Sequence, residues 1–185
     1  MKNITIAALL IAISIGYPGR VFSQNKGLRL VFIRHAERPD NGDNLTCQGL
    51  NRSLLLPAVL YRKFGKPSNI YVPALNLGSS TKRTRMLETI SPFAAKYNVN
   101  INSGYQEEDY NGIGNALLAE SGTIIIVWEH NTILPILRAV GVKKTKAMDW
   151  PDSDFDSIWI VTFVNGKAVL NLDTEGIKPP SGCAF

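Results

Sequence analysis

The sequence predicts an α/β domain, a three-layer α/β/α sandwich around a mostly parallel central sheet with a C-terminal β-hairpin at its edge. Short Val- and Ile-rich runs alternate with longer stretches of helical period, the pattern of strand–helix–strand units. At the end of the chain two apolar runs flank Asn165-Gly166, the strongest short-range hairpin signal. With 185 residues, 45% of them apolar, the chain suits one core, and no repeat, low-complexity tract or linker marks a second domain.

The elements follow in order. Leu28 to Ile33, Ile70 to Val72, Val99 to Ile101 and Thr123 to Trp128 read as strands. Thr46 starts a periodic stretch to about Phe64, with Pro57 as a kink or break inside it. Thr81 to Tyr97 and Asn131 to Val140 read as helices, each beginning near a Ser, Thr or Asn cap. Ile158 to Val164 and Ala168 to Leu172 form the hairpin.

The N-terminus has its own character. Residues Ile4 to Ile15 form an apolar run behind Lys2, shorter than the roughly 20 residues that span a bilayer and broken by Gly16, Tyr17 and Pro18. Val21 and Ser23 offer a cleavage site before Gln24. We read 1–23 as a secretory signal peptide and 24–185 as the domain, periplasmic or secreted, with no stable membrane insertion after cleavage; the alternative is an uncleaved anchor. Cleavage removes Lys2 and Arg20 from a chain of formal charge +5, and the mild remainder favours small anions as readily as nucleic acid; the partner expected is a small anion and not nucleic acid. Cys47 and Cys183 form an even pair, which an oxidising compartment allows to bridge. Nothing in the sequence sets the oligomeric state.

Only two histidines are present, and each falls where an apolar strand runs out: His35 after Leu28 to Ile33, His130 after Thr123 to Trp128. Ligands gather beyond the carboxyl ends of strands in open α/β sheets. Arg34 precedes His35 and Arg38 follows within the same loop. Guanidinium forks match phosphate oxygens bidentately and stay charged, so the loop reads as a phosphate pocket around a nucleophilic imidazole, which must be neutral to attack.

The tetrad Arg34-His35-Ala36-Glu37 resembles the Arg-His-Gly-Glu signature of the histidine phosphatase, or phosphoglycerate mutase-like, superfamily, and Asn41 stands at a spacing the family uses. Ser79-Ser80 followed by Arg85-Met86-Leu87-Glu88-Thr89 is similar to its Ser-rich strand end and Arg-x-x-x-Thr helix, with Arg83 as the fallback for Arg85. Glu129-His130-Asn131 matches its second histidine without the usual glycines, and Ala36 also replaces glycine. The resemblance covers about Leu28 to Leu172 and implies a phosphoric monoester hydrolase with no cofactor and no metal. His35 is implied as nucleophile, Arg34, Arg85 and His130 as holders of the phosphoryl oxygens, and Arg38, Asn41 and Arg83 as further phosphate or substrate contacts. The family's Glu-x-Asp spacing selects Glu107 as proton donor, with Glu108 and Asp109 left open. Trp150 to Asp156 is either a rim over the pocket or an edge loop with buried aromatics.

The implied partner is a small phosphomonoester or a phosphorylated envelope component. A metal-dependent hydrolase is disfavoured by Arg34 beside His35 and by the absence of His-x-x-His or His-Glu-x-x-His spacing. An inactive anion-binding module of the same fold and a mutase remain as rivals.

Overall fold

The computed structural model describes residues 27–75, 84–143 and 150–183; the signal-peptide segment, Ser79-Ser80 and Arg83 lie outside the described residues. Six strands and four helices alternate along the chain: β1 Arg29–Arg34, α1 Cys47–Phe64, β2 Asn69–Pro73, α2 Thr84–Tyr97, β3 Ile101–Tyr105, α3 Tyr110–Ala119, β4 Thr123–Trp128, α4 His130–Ala139, β5 Ser157–Val164 and β6 Lys167–Thr174. They form one sheet in the order β3-β2-β4-β1-β5-β6. The first four strands in that order run parallel and the last two antiparallel.

The continuous apolar runs of β1 and β4 reflect burial on both faces. Leu30 and Phe32 of β1, with Ile124, Ile126 and Trp128 of β4, pack against Ile113 and Leu117 of α3 and Ile133, Ile136 and Leu137 of α4. The alternate residues Val31, Ile33, Ile125 and Val127 pack against Leu56 and Leu60 of α1 and Met86, Ile90 and Phe93 of α2. These are the three layers. Each such side chain contributes about 1.5–3 kcal/mol by burial, so the two central strands are anchored on both sides and their ends make a fixed platform.

The hairpin turn matches its signal. Asn165 at φ 51 and Gly166 at φ 73 both occupy the left-handed region that a two-residue type I′ loop needs. Cys47 and Cys183 form a disulfide that ties the start of α1 to the C-terminal tail. Asn51 donates to the carbonyls of Pro180 and Gly182 and holds the same tail.

Two expectations need correction, and one helix was not foreseen. Pro57 neither ends nor breaks α1, which continues seven residues beyond it to Phe64; helix packing outweighs the missing amide. The third strand begins at Ile101, where the apolar run ends, and its Ser103 and Gly104 are exposed because β3 is an edge strand. Helix α3 had no clear signal, since Gly112 and Gly114 weaken its propensity. Its cap is Asp109, whose carboxylate accepts from the Gly112 amide at 2.9 Å.

Candidate active site

The parallel register of β1 and β4 aligns Ile33 with Val127 and Arg34 with Trp128. The next residues, His35 and Glu129, therefore leave the sheet side by side. The connection after β1 goes to the face of α1 and that after β4 to the face of α4, so the two strand ends flank a crevice of the kind where α/β sheets bind ligands.

His35 is fully buried. Its Nδ1 lies 2.6 Å from the Ala36 carbonyl, which can only accept, so Nδ1 carries a hydrogen and Nε2 faces the crevice. The loop itself is pinned. The Ala36 amide donates to Thr89 Oγ1 at 2.9 Å, and that hydroxyl donates to the Arg85 carbonyl one turn back at 2.7 Å. This gives the Arg-x-x-x-Thr spacing a physical reason: the Thr holds the nucleophile's loop while the Arg points into the site. The Glu37 carbonyl accepts from the Thr46 amide at 2.9 Å, and a Cβ on Gly49 would stand 2.2 Å from that oxygen, so only glycine lets α1 approach here.

Glu129 occupies the centre. Its Oε2 lies 3.1 Å from His35 Nε2 and 4.0 Å from Arg85 Nη2, while Oε1 rests against His130 Nδ1 without hydrogen-bond alignment. Burial pushes this carboxyl up, but the hydrogen bond with His35 and the charges of His35, His130 and Arg34 outweigh it and hold the group down at about 2. His130, at the first position of α4, turns Nε2 to Asp152 Oδ1 at 2.6 Å.

Arg34 is buried beneath the segment 150–157. Its Nη1 donates to the carbonyls of Asp152 at 2.8 Å, Asp154 at 3.1 Å and Pro151 at 3.3 Å, and its guanidinium lies 4.0 Å from the Phe155 ring centroid. Burial is the main cause that pushes it down to about 10, with the carboxylates of Glu129 and Asp152 opposing. Phe155 stands 6.1 Å from the His35 ring, so Asp152 to Phe155 lies over the site as a rim, while Trp150 is buried against Trp159 as the edge-loop alternative expected. Three buried side-chain atoms among the described residues lack a hydrogen-bond partner, and all three are here: Arg34 Nε, Arg85 Nε and His130 Nδ1.

Of the residues the sequence singled out, Arg34, His35, Arg85 and His130 come together. Arg38 is exposed, with its guanidinium on the neighbouring Pro39 carbonyl at 3.3 Å, and Asn41 is exposed in the same loop; neither shows a contact with the two histidines among the described residues. Glu107 is half-buried in the turn after β3, and its carbonyl accepts from the Trp128 indole at 3.1 Å, next to Glu129. Glu108 is exposed in that turn, and Asp109 serves as the α3 cap. An open polar cavity beside this turn, lined by Glu108, Tyr110, Pro135 and Arg138, does not include the histidines. Sequence reasoning missed Glu129 and gave Asp152 and Phe155 only a place in a candidate rim; the one signal for Glu129 was a carboxyl placed directly between an apolar strand and a histidine.

The sheet order and the helices on its two faces are those of the phosphoglycerate mutase-like fold. Among solved structures, the protein histidine phosphatase SixA complexed with tungstate is similar at a TM-score of 0.60 and 14% identity, covering 80% of this chain and 97% of that one. Phosphoglycerate mutase from Plasmodium falciparum is similar at 0.55 and 15% identity, over 85% and 96% of the two chains. A phosphoserine phosphatase variant from Entamoeba histolytica in complex with phosphoserine is similar at 0.50 and 14% identity, over 80% and 96%. No family profile matches the sequence itself, and neither does any curated protein.

Proposed function

We propose that the chain is an exported, metal-independent phosphatase that hydrolyses phosphomonoesters through a phosphohistidine on His35. The observation that carries this reading is the set of orphaned donors: two buried guanidinium Nε–H groups beside an imidazole at the sheet's carboxyl edge call for oxyanion oxygens. Similar folds act on phosphorylated protein and phosphoserine, and one holds tungstate, a tetrahedral oxyanion.

In this reading Glu129 gives way as the ester enters, and Arg34, Arg85 and His130 take the phosphoryl oxygens. The lone pair of His35 Nε2 attacks phosphorus while the P–O ester bond breaks. Charge spreads over the equatorial oxygens, where fixed cations stabilise it. The departing oxygen leaves opposite Nε2, so its proton donor must stand on the far side of phosphorus. Glu129, 3.1 Å from Nε2, is on the wrong side; of Glu107, Glu108 and Asp109 in the turn after β3, the family's Glu-x-Asp spacing selects Glu107 as the donor. Water then cleaves the P–N bond and returns phosphate. Arg38, Asn41 and Arg83 would meet the rest of the substrate, a small ester or a phosphorylated envelope component.

Export is supported by the apolar run Ile4 to Ile15 and by the disulfide, which persists in oxidising compartments. A mass of the isolated protein beginning at Gln24 checks it. Acid-labile phosphate trapped on the wild type and absent from folded His35→Ala tests the nucleophile; undiminished turnover in that variant refutes it. The rival reading, an anion-binding module without turnover, draws on Glu129 already filling the seat, and a phosphomonoester panel separates the two.

A further inference from the structure

We infer that His35, Glu129 and His130 form a three-donor site for a zinc-class divalent ion, and that the ion inhibits the phosphatase by excluding its substrate. The inhibitory half rests on the function proposed above; the binding half does not.

The donors converge. A ring nitrogen of His35, a Glu129 oxygen and a ring nitrogen of His130 all lie within 4.8 Å of one another, the one cluster of this kind among the described residues, and His35 Nε2 is 3.1 Å from Glu129 Oε2. Tetrahedral ligands at zinc distances stand about 3.3 Å apart, so a small contraction closes the set. Two imidazoles and one carboxylate with a fourth position open is a common zinc donor set.

The orientation of each ring is also that of a metal ligand. A ligating histidine gives its other nitrogen to a carbonyl or a carboxylate, which fixes the tautomer and turns the lone pair to the metal. Here His35 gives Nδ1 to the Ala36 carbonyl at 2.6 Å and His130 gives Nε2 to Asp152 at 2.6 Å. The remaining nitrogens both face Glu129. His130, 4% exposed, has Nδ1 aimed into the cluster with no hydrogen bond. Two ring lone pairs and a carboxylate repel one another unless protons or a cation stand among them.

The arginines do not fill that place. Arg34 Nη1 is committed to three carbonyls of the overlying segment, and Arg85 stands 4.0 Å from Glu129. The space among the three donors is therefore not taken by a guanidinium, while the Arg34 charge still acts on Glu129 and lowers the ion's affinity. A bound ion would take the Nε2 lone pair needed for attack and hold Glu129 in the phosphoryl seat. Ion and ester are then mutually exclusive.

The test uses the full domain, stripped with chelator in phosphate-free buffer. Calorimetric titration with zinc chloride should show one equivalent, and cobalt chloride should give a visible absorption band typical of low coordination. Glu129→Gln and His130→Ala, checked for fold by circular dichroism, should each weaken binding roughly tenfold or more. Zinc should inhibit hydrolysis competitively with the midpoint of its binding curve, and chelator should restore the rate. Absence of stoichiometric binding, or equally tight binding by both variants, overturns the site. Zinc-stimulated turnover overturns the inhibitory half and the phosphohistidine route together. Stoichiometric binding in a protein that hydrolyses no ester leaves the site standing and removes the proposed function.

Discussion

Two buried polar clusters share the loop after β1, and they are built to opposite rules. Around Arg52, Nε donates to both oxygens of Glu37 at 3.0 Å, Nη2 to Glu37 at 2.8 Å and Nη1 to Glu175 at 2.6 Å, with Asp156 at 3.8 Å. Around His35 and His130, three buried nitrogens have no hydrogen bond among the described residues. A saturated network rigidifies; an unsatisfied one is costly and is retained where a ligand completes it. The Arg52 cluster is scaffold, and the histidine cluster is the part left open for chemistry.

The sharpest way to break the contrast is to remove each cluster's cation. Arg52→Ala should cost about 3–5 kcal/mol, because it strands buried carboxyls; a urea unfolding midpoint close to the wild type's would deny it a structural role. Arg85→Ala should leave the melting temperature nearly unchanged and reduce turnover about 10²-fold or more, as loss of a preorganised donor does. Equal effects on stability by both changes would erase the distinction.

The open cluster was readable in sequence only as far as it is local. His35 and His130 announce themselves because each ends an apolar run, and Arg85 through its resemblance to the Arg-x-x-x-Thr spacing, with Arg83 as the fallback. Glu129 reaches His35 through the pairing of β1 with β4, a register that no neighbouring residue encodes. Asp152 and the carbonyls over Arg34 arrive from residues more than a hundred positions after it. The hairpin was legible because Asn-Gly states its own backbone angles. Helix α3 was not, since its cap, Asp109, sits in an acidic run that reads equally as a proton donor.

Smaller effects sharpen the picture. Within the saturated cluster one guanidinium serves several carboxyls, and burial pushes the deepest, Glu175, up to about 8 from the usual 4.5 despite the pull of Arg52. A value raised by folding means that the folded state holds the proton more tightly. That stabilisation is full below about 4.5 and is lost as pH rises through about 8. Urea midpoints should therefore fall as pH rises from about 4.5 to about 8 and level off above it, and Glu175→Gln should flatten the slope; an unchanged slope removes Glu175 as its source. Glu107→Gln should slow an alkyl phosphate by roughly 10²-fold and an aryl phosphate with an acidic phenol far less, because a phenolate leaves unaided. Equal losses on both esters would make Glu107 a shaping residue.

The strap of residues 175–183, joined to α1 through Glu175, Asn51 and Cys183, also sets an order of events during biosynthesis. The nucleophile's loop and α1 emerge early, yet the partners that steady Arg52 and Cys47 emerge more than 120 residues later. At ordinary synthesis rates that delay is about 6–25 s. Until the strap arrives, Arg52 holds Glu37 without Glu175 and Cys47 lacks its disulfide partner, so the α1 side of the site is completed long after the loop carrying His35 is made.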